Sequence, residues 1–265
     1  MTTSREPVGR ALDVLAWMAD HQSQPLGVRQ IARDLDTTPS TIHRILATFQ
    51  DRHLVARGDN GEYVLGLELY RICAVIASEL SLGRIARTHL QRLTKECNET
   101  TLFGTYDSGR GQMMFIDRVE ALHPLRYVVD LHQWLPVHAG ATGLAILAYL
   151  PEEERQRIYA SGLDAQTPAT IVSVTDLEKE LEQVRLRGYA LSMNQRVQGA
   201  VGFAAPVFDS SGMVCGDMCI TLPEQRFQAG KFADSLAAML MTAAAQVTAE
   251  LKAVGYRAAT HTSGN

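Results

Sequence analysis

One predicted helix face, between residues 35 and 51 (LDTTPSTIHRILATFQD), carries residue types that could recognise a nucleic acid. The apolar residues recur at helical spacing, and the side chains opposite them are short hydroxyls, a small residue and one arginine. A guanidinium can donate two hydrogen bonds to guanine, and hydroxyls can bind phosphates or base edges. The predicted DNA contacts on this face are Thr38, Ser40, Thr41, His43, Arg44 and Thr48.

A second stretch, VHAGATGLAIL at residues 137–147, could bind an anion. Small residues precede an apolar helix there, so we expect the amides of Ala141, Thr142 and Gly143 to be free at its N-terminus. Free amides and the helix dipole together favour a negatively charged group, and a carboxylate is the natural ligand. The alternative is that small residues only allow the helix to pack closely.

The four cysteines are predicted to form neither a metal site nor a disulfide framework. Cys215 and Cys219 lie in a stretch that reads as a strand, where four residues span roughly 13 Å, too far for one tetrahedral centre or one disulfide. Cys73 and Cys97 are scattered elsewhere, which favours free thiols in a reducing compartment. We predict no metal and no cofactor.

The elements around the first polar face follow from local signals. Apolar residues at helical spacing predict helices over residues 10–20, 28–35 and 39–51, and Thr38 before Pro39 is typical of an N-cap followed by a first helical residue. Two short extended runs flank residues 58–61 (GDNG), a hairpin signal, and this hairpin carries Arg57, a further predicted DNA contact. This order predicts a winged helix-turn-helix.

Charge argues for the plainer interpretation of that face. Residues 1–66 contain seven arginines and eight acidic residues, and the whole chain of 265 residues has a net charge of -4. A polar face of this kind is often merely solvated. If it binds DNA, we expect modest non-specific affinity, with contacts concentrated in a few arginines and duplicated by dimerisation.

The rest of the chain predicts a second, larger domain. Residues 67–82 form an apolar-rich linker helix that Gly83 interrupts, and a further helix follows. Strands are expected over residues 100–107, 112–120, 126–130 and 200–221, with a turn at residues 209–212, and the last helix over residues 231–254. The predicted domains are residues 1–66, 67–82 and 83–265, the last a mixed α/β domain with a largely antiparallel sheet.

No targeting segment is expected. The N-terminus MTTSREPVGR lacks the apolar core of a signal peptide, and the longest apolar-rich stretch, SLAAMLMTAAAQV, is mostly small residues broken by polar ones. We therefore predict a cytoplasmic protein with no membrane partner.

Several segments together resemble the IclR family of bacterial transcriptional regulators. They are RALDVLAWM, TIHRILATFQDRHLV, EYVLG, LPVHAGATGLAILA, LRGYA and VGFAAPVFDSSG, and they span nearly the whole chain. The resemblance implies an N-terminal winged helix-turn-helix, a linker helix and a C-terminal GAF-like domain that binds a small molecule. It also implies a homodimer or dimer of dimers that binds a double-stranded operator and represses or activates catabolic genes.

The resemblance also implies an effector pocket. The matching positions are Ser192, Ala200, Gly202, Cys219 and Thr221. We add Met113, Phe115 and Tyr127 as candidate apolar walls, although residues of these types are more often simple core. The chain departs from the family twice: Gln195 stands where members often carry an acid, and the position of Ser192 is acidic in some members. Loss of those carboxylates favours an acid over a cationic or hydroxyl-rich effector.

Two other function classes stay open at this point. The chain lacks H-E-x-x-H, G-x-S-x-G, Walker A and G-x-G-x-x-G motifs, but a nucleophilic Cys219 assisted by His132 or His138 could assemble across distance. A winged helix could also serve protein contacts only. We predict a non-enzymatic, ligand-responsive DNA-binding regulator that senses a small organic acid.

Overall fold

A computed structural model describes residues 6–21, 26–59, 61–79, 81–124, 126–127 and 129–259, with the backbone alone at 77–79 and 81. The chain divides into two compact units, Met1–Leu80 and Ser81–Asn265. Each unit is built around its own buried apolar cluster, and the second unit has such a cluster on each face of its sheet.

The first unit is a winged helix-turn-helix, as predicted. Its helices are α1 (Pro7–Asp20), α2 (Val28–Asp34) and α3 (Pro39–Asp51), followed by β1 (Val55–Arg57), β2 (Tyr63–Leu65) and α4 (Leu67–Glu79). The strands pair antiparallel, and Leu26 adds a bridge to Tyr63. The predicted hairpin turn includes Asn60, which lies outside the described residues.

Local chemistry sets the start of α3. Thr38 has extended backbone angles, its Oγ1 accepts a hydrogen bond from Thr41 N at 3.3 Å, and Pro39 follows as the first helical residue. The cap satisfies an amide that the helix leaves without a partner, and proline has no N–H to satisfy. Ile42, Leu46 and Phe49 are buried against the other helices, which fixes the opposite face of α3 toward solvent.

The predicted helix break at Gly83 is wrong. Helix α4 ends at Glu79, and α5 runs from Ser81 to Cys97 with Gly83 in its first turn. Glycine costs about 1 kcal/mol in a helix interior. Burial of the α5 stripe formed by Leu82, Ala86, Leu90 and Leu93 outweighs that cost. The linker helix accordingly spans a shorter range than residues 67–82, and residue 80 lies outside the described part.

The second unit contains one six-stranded antiparallel sheet in the order β5-β4-β3-β8-β7-β6. The strands are β3 (Thr100–Asp107), β4 (Gln112–Val119), β5 (Leu135–Pro136), β6 (Ala190–Met193), β7 (Ala200–Phe208) and β8 (Val214–Pro223). Central strands β7 and β8 are buried almost throughout because helices cover both faces. The predicted fold class, a helix-turn-helix domain and a mixed α/β domain, is confirmed.

Helices α5 and α9 (Lys231–Ala253) cover one face of the sheet. The other face carries α6 (Gly140–Leu147), α7 (Glu152–Ala160) and α8 (Val174–Arg187). By length and composition alone α9 could cross a membrane, but Leu236, Leu240 and Val247 lie in the buried cluster against the sheet. Such packing is typical of a core helix.

Residues 126–130, predicted as a strand, contain no strand among those described. The segment is joined to β4 by isolated hydrogen bonds instead of a ladder: Arg118 Nη1 donates to Val129 O, and His132 N donates to Phe115 O at 2.8 Å. His132 has a positive φ of 63°, which a strand does not contain. This non-repetitive segment passes beside the cavity described below.

Candidate functional site

The polar face of α3 is open to solvent. Thr38, Ser40, His43, Arg44 and Thr48 are exposed, and Thr41 is half-buried. Thr38 Oγ1 lies 3.0 Å from Ser40 Oγ and 2.9 Å from Thr41 Oγ1, so these hydroxyls form one cluster at the start of the helix. The Arg44 guanidinium has no hydrogen-bond or ion-pair partner within the described part of the chain. This face therefore presents hydrogen-bond donors along the first part of α3, where the major groove of a DNA duplex could contact them.

The wing adds one more predicted contact. Arg57 is exposed at the end of β1, and its guanidinium carbon lies 5.8 Å from the centroid of the Tyr63 ring. Tyr63 is buried and anchors the hairpin to the first unit. The cation–π contact leaves the guanidinium nitrogens available while it limits where the side chain can go.

A cavity of about 360 Å³ opens in the second unit where α6 begins against the sheet. Its volume lies in the range of small-molecule sites. Eight of the residues predicted from the sequence line it: Tyr127, Ala141, Thr142, Ser192, Ala200, Gly202, Cys219 and Thr221. Residues from the segment before β5, from α6 and from strands β6, β7 and β8 are thus brought together.

Three other predicted pocket residues do not line the cavity. Met113 and Phe115 are fully buried in the apolar cluster beneath it, which is the alternative that the sequence left open for them. A Cβ added at Gly143 would lie 2.5 Å from Val137 O. Gly143 is therefore required for close packing of α6. Its predicted place in the pocket is wrong.

One backbone amide at the start of α6 already has a hydrogen-bond acceptor. Ala141 N donates to Ser192 Oγ at 2.8 Å, so the predicted free amide of Ala141 is wrong. A buried amide needs an acceptor, and Ser192, itself buried, supplies it. A hydroxyl that accepts this bond still has its own proton to donate, so Ser192 can contribute a donor to the cavity beside the side chain of Thr142.

Arg196 also lines the cavity, and no pattern in the sequence predicts a buried arginine at this position. Its Nη1 has no contact with solvent and no hydrogen-bond partner, and its guanidinium carbon lies 5.0 Å from the centroid of the Phe115 ring. Burial lowers the pKa of Arg196, although a guanidinium stays charged at neutral pH. Arginines between strands are common at surfaces, so neither spacing nor composition distinguishes this one.

The segment after β6 is held firmly by its neighbours. Thr167 Oγ1 donates to Asn194 O, and Thr170 Oγ1 donates to Gln195 O, both at 2.6 Å. Tyr127 adds a hydrogen bond from its hydroxyl to Gln198 O at 3.0 Å. These bonds fix the backbone on both sides of Arg196.

A buried acid lies below the cavity. Asp217 on β8 is fully buried, and among the described residues neither carboxylate oxygen has a hydrogen-bond partner of normal geometry. Burial raises the pKa of Asp217 well above its usual range, and the charge of Arg196 and the hydroxyl of Thr142 oppose that shift. A Cβ added at Gly104 would lie 2.1 Å from Asp217 Oδ1, so glycine on the neighbouring strand makes room for this side chain.

The thiols are poor candidates for covalent catalysis. Burial raises the pKa of both Cys215 and Cys219 to about 12, which keeps them protonated at neutral pH. His138 Nε2 is 2.9 Å from Asp164 O and so is engaged with the backbone. Within the described residues, no group of three or more His, Cys, Asp or Glu side chains could hold a metal ion.

Comparison with known proteins gives one consistent result. The model of the IclR helix-turn-helix domain matches residues 7–59, and the model described as the bacterial transcriptional regulator IclR C-terminal domain matches residues 74–249. The transcriptional repressor IclR of Escherichia coli is 29% identical over 241 residues, which cover 90% of this chain and 87% of that protein.

Solved structures share the fold over most of the chain. An IclR transcriptional regulator from Alicyclobacillus acidocaldarius superposes with a TM-score of 0.83 at 25% identity, covering 92% of this chain and 98% of that one. An IclR homologue from Microbacterium hydrocarbonoxydans, solved in complex with 4-hydroxybenzoate, gives a TM-score of 0.81 at 22% identity and covers 94% and 100%.

Proposed function

The chain belongs to the IclR family of bacterial transcriptional regulators, and from that premise we propose that it controls a catabolic operon in response to a small organic acid. Proteins of this family are ligand-responsive DNA-binding regulators and not enzymes. The operon, the acid and the residues that bind them are the proposal.

One observation supports the proposal that the second unit binds a small organic acid. The second unit holds a cavity of about 360 Å³ that is lined by Thr142, Ser192 and a buried guanidinium, next to apolar side chains. Polar groups placed in a mainly apolar cavity are typical of small-molecule sites. A homologue of the same fold was solved with 4-hydroxybenzoate, which supports a monocyclic aromatic acid as one candidate.

The DNA part rests on the first unit. We propose that α3 enters the major groove, that Ser40, His43 and Arg44 face base edges, and that the hydroxyls of Thr38, Thr41 and Thr48 contact phosphates or base edges. Arg57 would reach the adjacent backbone from the wing. The exposure of this face and the free guanidinium of Arg44 support the assignment.

We propose further that the protein works as a homodimer or dimer of dimers in the cytoplasm. Exposed apolar side chains on α4, namely Leu67, Tyr70 and Ile76, support an association surface in the first unit. Two copies would place two recognition helices on adjacent half-sites, which strengthens binding by a unit with little net positive charge.

A gel-shift titration of the full-length chain tests this proposal. The DNA is the region upstream of the chain's own gene, with a scrambled duplex as competitor, and acetate, pyruvate, succinate, benzoate and 4-hydroxybenzoate are added in turn. We expect specific binding that at least one acid changes severalfold, and the same acid should raise the melting temperature. Absence of specific binding, or no response to any acid in both assays, would refute it.

A further inference from the structure

Arg196 enters the cavity along the start of α6. A Cβ added at Gly140 would lie 3.2 Å from Arg196 Cβ and 3.8 Å from Arg196 Cδ, so the absent side chain of Gly140 makes room for the arginine stem. The guanidinium ends above the Phe115 ring, at 5.0 Å from its centroid. The ring covers the planar group from one side, and Arg196 is among the residues that line the cavity.

This guanidinium lacks the partner that buried charges normally have. Nη1 has no accessible surface, and among the described residues it has no hydrogen-bond partner and no carboxylate forms an ion pair with Arg196. A buried charge without a partner is costly, and the cost is recovered when an opposite charge with matching geometry arrives. A carboxylate matches the fork of a guanidinium with two parallel hydrogen bonds.

The acidic groups nearby do not supply that partner. Asp217 lies below the cavity and forms no ion pair with Arg196, and burial raises its pKa well above the usual range, which disfavours its charged form. Asp130 lines the cavity but is exposed, where water screens its charge. Among the described residues that line the cavity, Arg196 is the one cation. The buried part of the cavity therefore carries one uncompensated positive charge.

We propose, on the basis of the function proposed above, that Arg196 is the counter-ion of the effector carboxylate and makes the cavity selective for a monoanionic acid over its neutral amide. Ser192 and Thr142 orient the ligand from the side of α6. A second charge on the ligand would enter the buried cavity without a partner, so a dicarboxylate binds less well than a monocarboxylate of similar size.

The arginine is positioned before the ligand arrives. The bonds from Thr167 and Thr170 hold the carbonyls of Asn194 and Gln195, the two residues that precede Arg196. Because the backbone is fixed on this side, little conformational freedom is lost on binding. The specificity for an anion is then a property of one side chain on a fixed segment.

Calorimetric titration of the full-length protein tests the assignment. The wild type is titrated with acetate, pyruvate, succinate, benzoate, 4-hydroxybenzoate and benzamide, the neutral counterpart of benzoate. The variants are Arg196→Gln, which removes the charge, Arg196→Lys, which keeps it without the fork, and Asp217→Asn. Arg92→Gln is the matched control, because Arg92 is exposed on α5 and away from the cavity. Melting temperatures verify that every variant is folded.

We expect Arg196→Gln to weaken binding of each acid that the wild type binds by roughly tenfold or more, with Arg196→Lys in between. Asp217→Asn and Arg92→Gln should stay within about threefold of the wild type, since neither changes the charge of the cavity. Benzamide should have the same affinity for the wild type and for Arg196→Gln.

The outcomes separate this inference from the proposed function. If the wild type binds an acid and Arg196→Gln binds it equally well, the role of Arg196 is overturned while the proposed function stands. A gain of about tenfold in Asp217→Asn would show that Asp217 is ionised and already compensates Arg196, which also overturns the inference. If the wild type binds no acid at all, the proposed function itself fails.

Discussion

Replacement of Arg44 by alanine tests the proposed DNA-binding face most directly. The side chain is exposed on α3 and has no hydrogen-bond or ion-pair partner in the described part of the chain, so its removal breaks no polar interaction there. Exposed substitutions of this kind change the free energy of unfolding by about 0.5 kcal/mol or less. Any larger effect on DNA binding can then be attributed to the lost contact.

The expected loss follows from the geometry of an arginine on guanine. A bidentate contact of this type contributes about 1 to 3 kcal/mol of discrimination against the wrong base. That free energy corresponds to a loss of roughly fivefold to 150-fold in affinity for each half-site. A symmetric dimer carries the substitution twice, so we expect roughly twice that free energy on a full operator.

Fluorescence anisotropy with the upstream fragment and with a scrambled duplex measures the specific and the non-specific affinity. We expect Arg44→Ala to lower the ratio of specific to scrambled affinity, and Arg44→Lys to do so as well, because lysine keeps the charge but lacks the planar fork. Arg33→Ala is the charge control: Arg33 is exposed on α2, where its Nε lies 3.5 Å from Asp34 Oδ1, and its loss removes the same charge. It should weaken both duplexes together, with a shallower salt dependence.

Two results would refute the assignment of this face. One is an unchanged specificity ratio for Arg44→Ala in a natively stable protein, which would mean that Arg44 contacts no base. The other is a uniform loss on both duplexes with a salt slope reduced by about one, which would place Arg44 on a phosphate. Either result would require another part of the first unit to read the sequence.

The remaining predictions concern the second unit. Ser192→Ala should lower the free energy of unfolding by about 1 to 3 kcal/mol in urea titrations, because the buried Ala141 amide loses its acceptor; an unchanged value would mean that another group replaces it. Asp217→Asn should stabilise the fold at pH 8 and lose that advantage toward pH 4, since burial raises the folded-state pKa above the unfolded value and ionisation costs stability as pH rises. The opposite pH trend would contradict a protonated acid. Iodoacetamide at pH 7.5 should label exposed Cys73 first and Cys219 only on unfolding, as followed by intact mass, because the pKa of Cys219 is about 12; fast labelling of Cys219 would restore the thiol-enzyme alternative.

Local signals in the sequence were sufficient for the first unit and for parts of the second. The cap at Thr38, the proline after it and the stripe of Ile42 and Leu46 depend only on neighbours along the chain, and so does the turn between β7 and β8. The order of the six strands and the pairing of β6 with β7 depend on contacts between distant segments. The boundary between α4 and α5 does not follow from local signals, because Gly83 predicts a helix break whereas burial of Leu82 and Leu90, which depends on distant segments, keeps the residue inside α5.

The pocket shows the same division between local and distant causes. Residues at the start of α6 and in β8 could be assigned from spacing and resemblance, whereas Arg196 acquires its environment only after β6, α6 and β4 come together. Arg196 is a loop arginine of ordinary sequence context. In the folded unit it is buried, and it is the one cation among the described residues that line the cavity. The sequence conclusion that the chain lost acidic groups at 192 and 195 pointed to an anionic ligand, but it did not identify the residue that would bind it.

The weak charge of the first unit makes a few contacts decisive for function. Seven arginines and eight acids within residues 1–66 leave little general attraction for the DNA backbone, so non-specific binding should be modest and only weakly dependent on salt. If two copies bind adjacent half-sites, as proposed above, the specific free energy comes from base edges and from the second copy. Under those conditions we expect a small change in the placement of α3 to be enough to release the regulator from the operator, because no strong electrostatic attraction keeps it on the DNA. A charge-rich unit of the same fold would need a larger change, and its salt dependence would be correspondingly steeper.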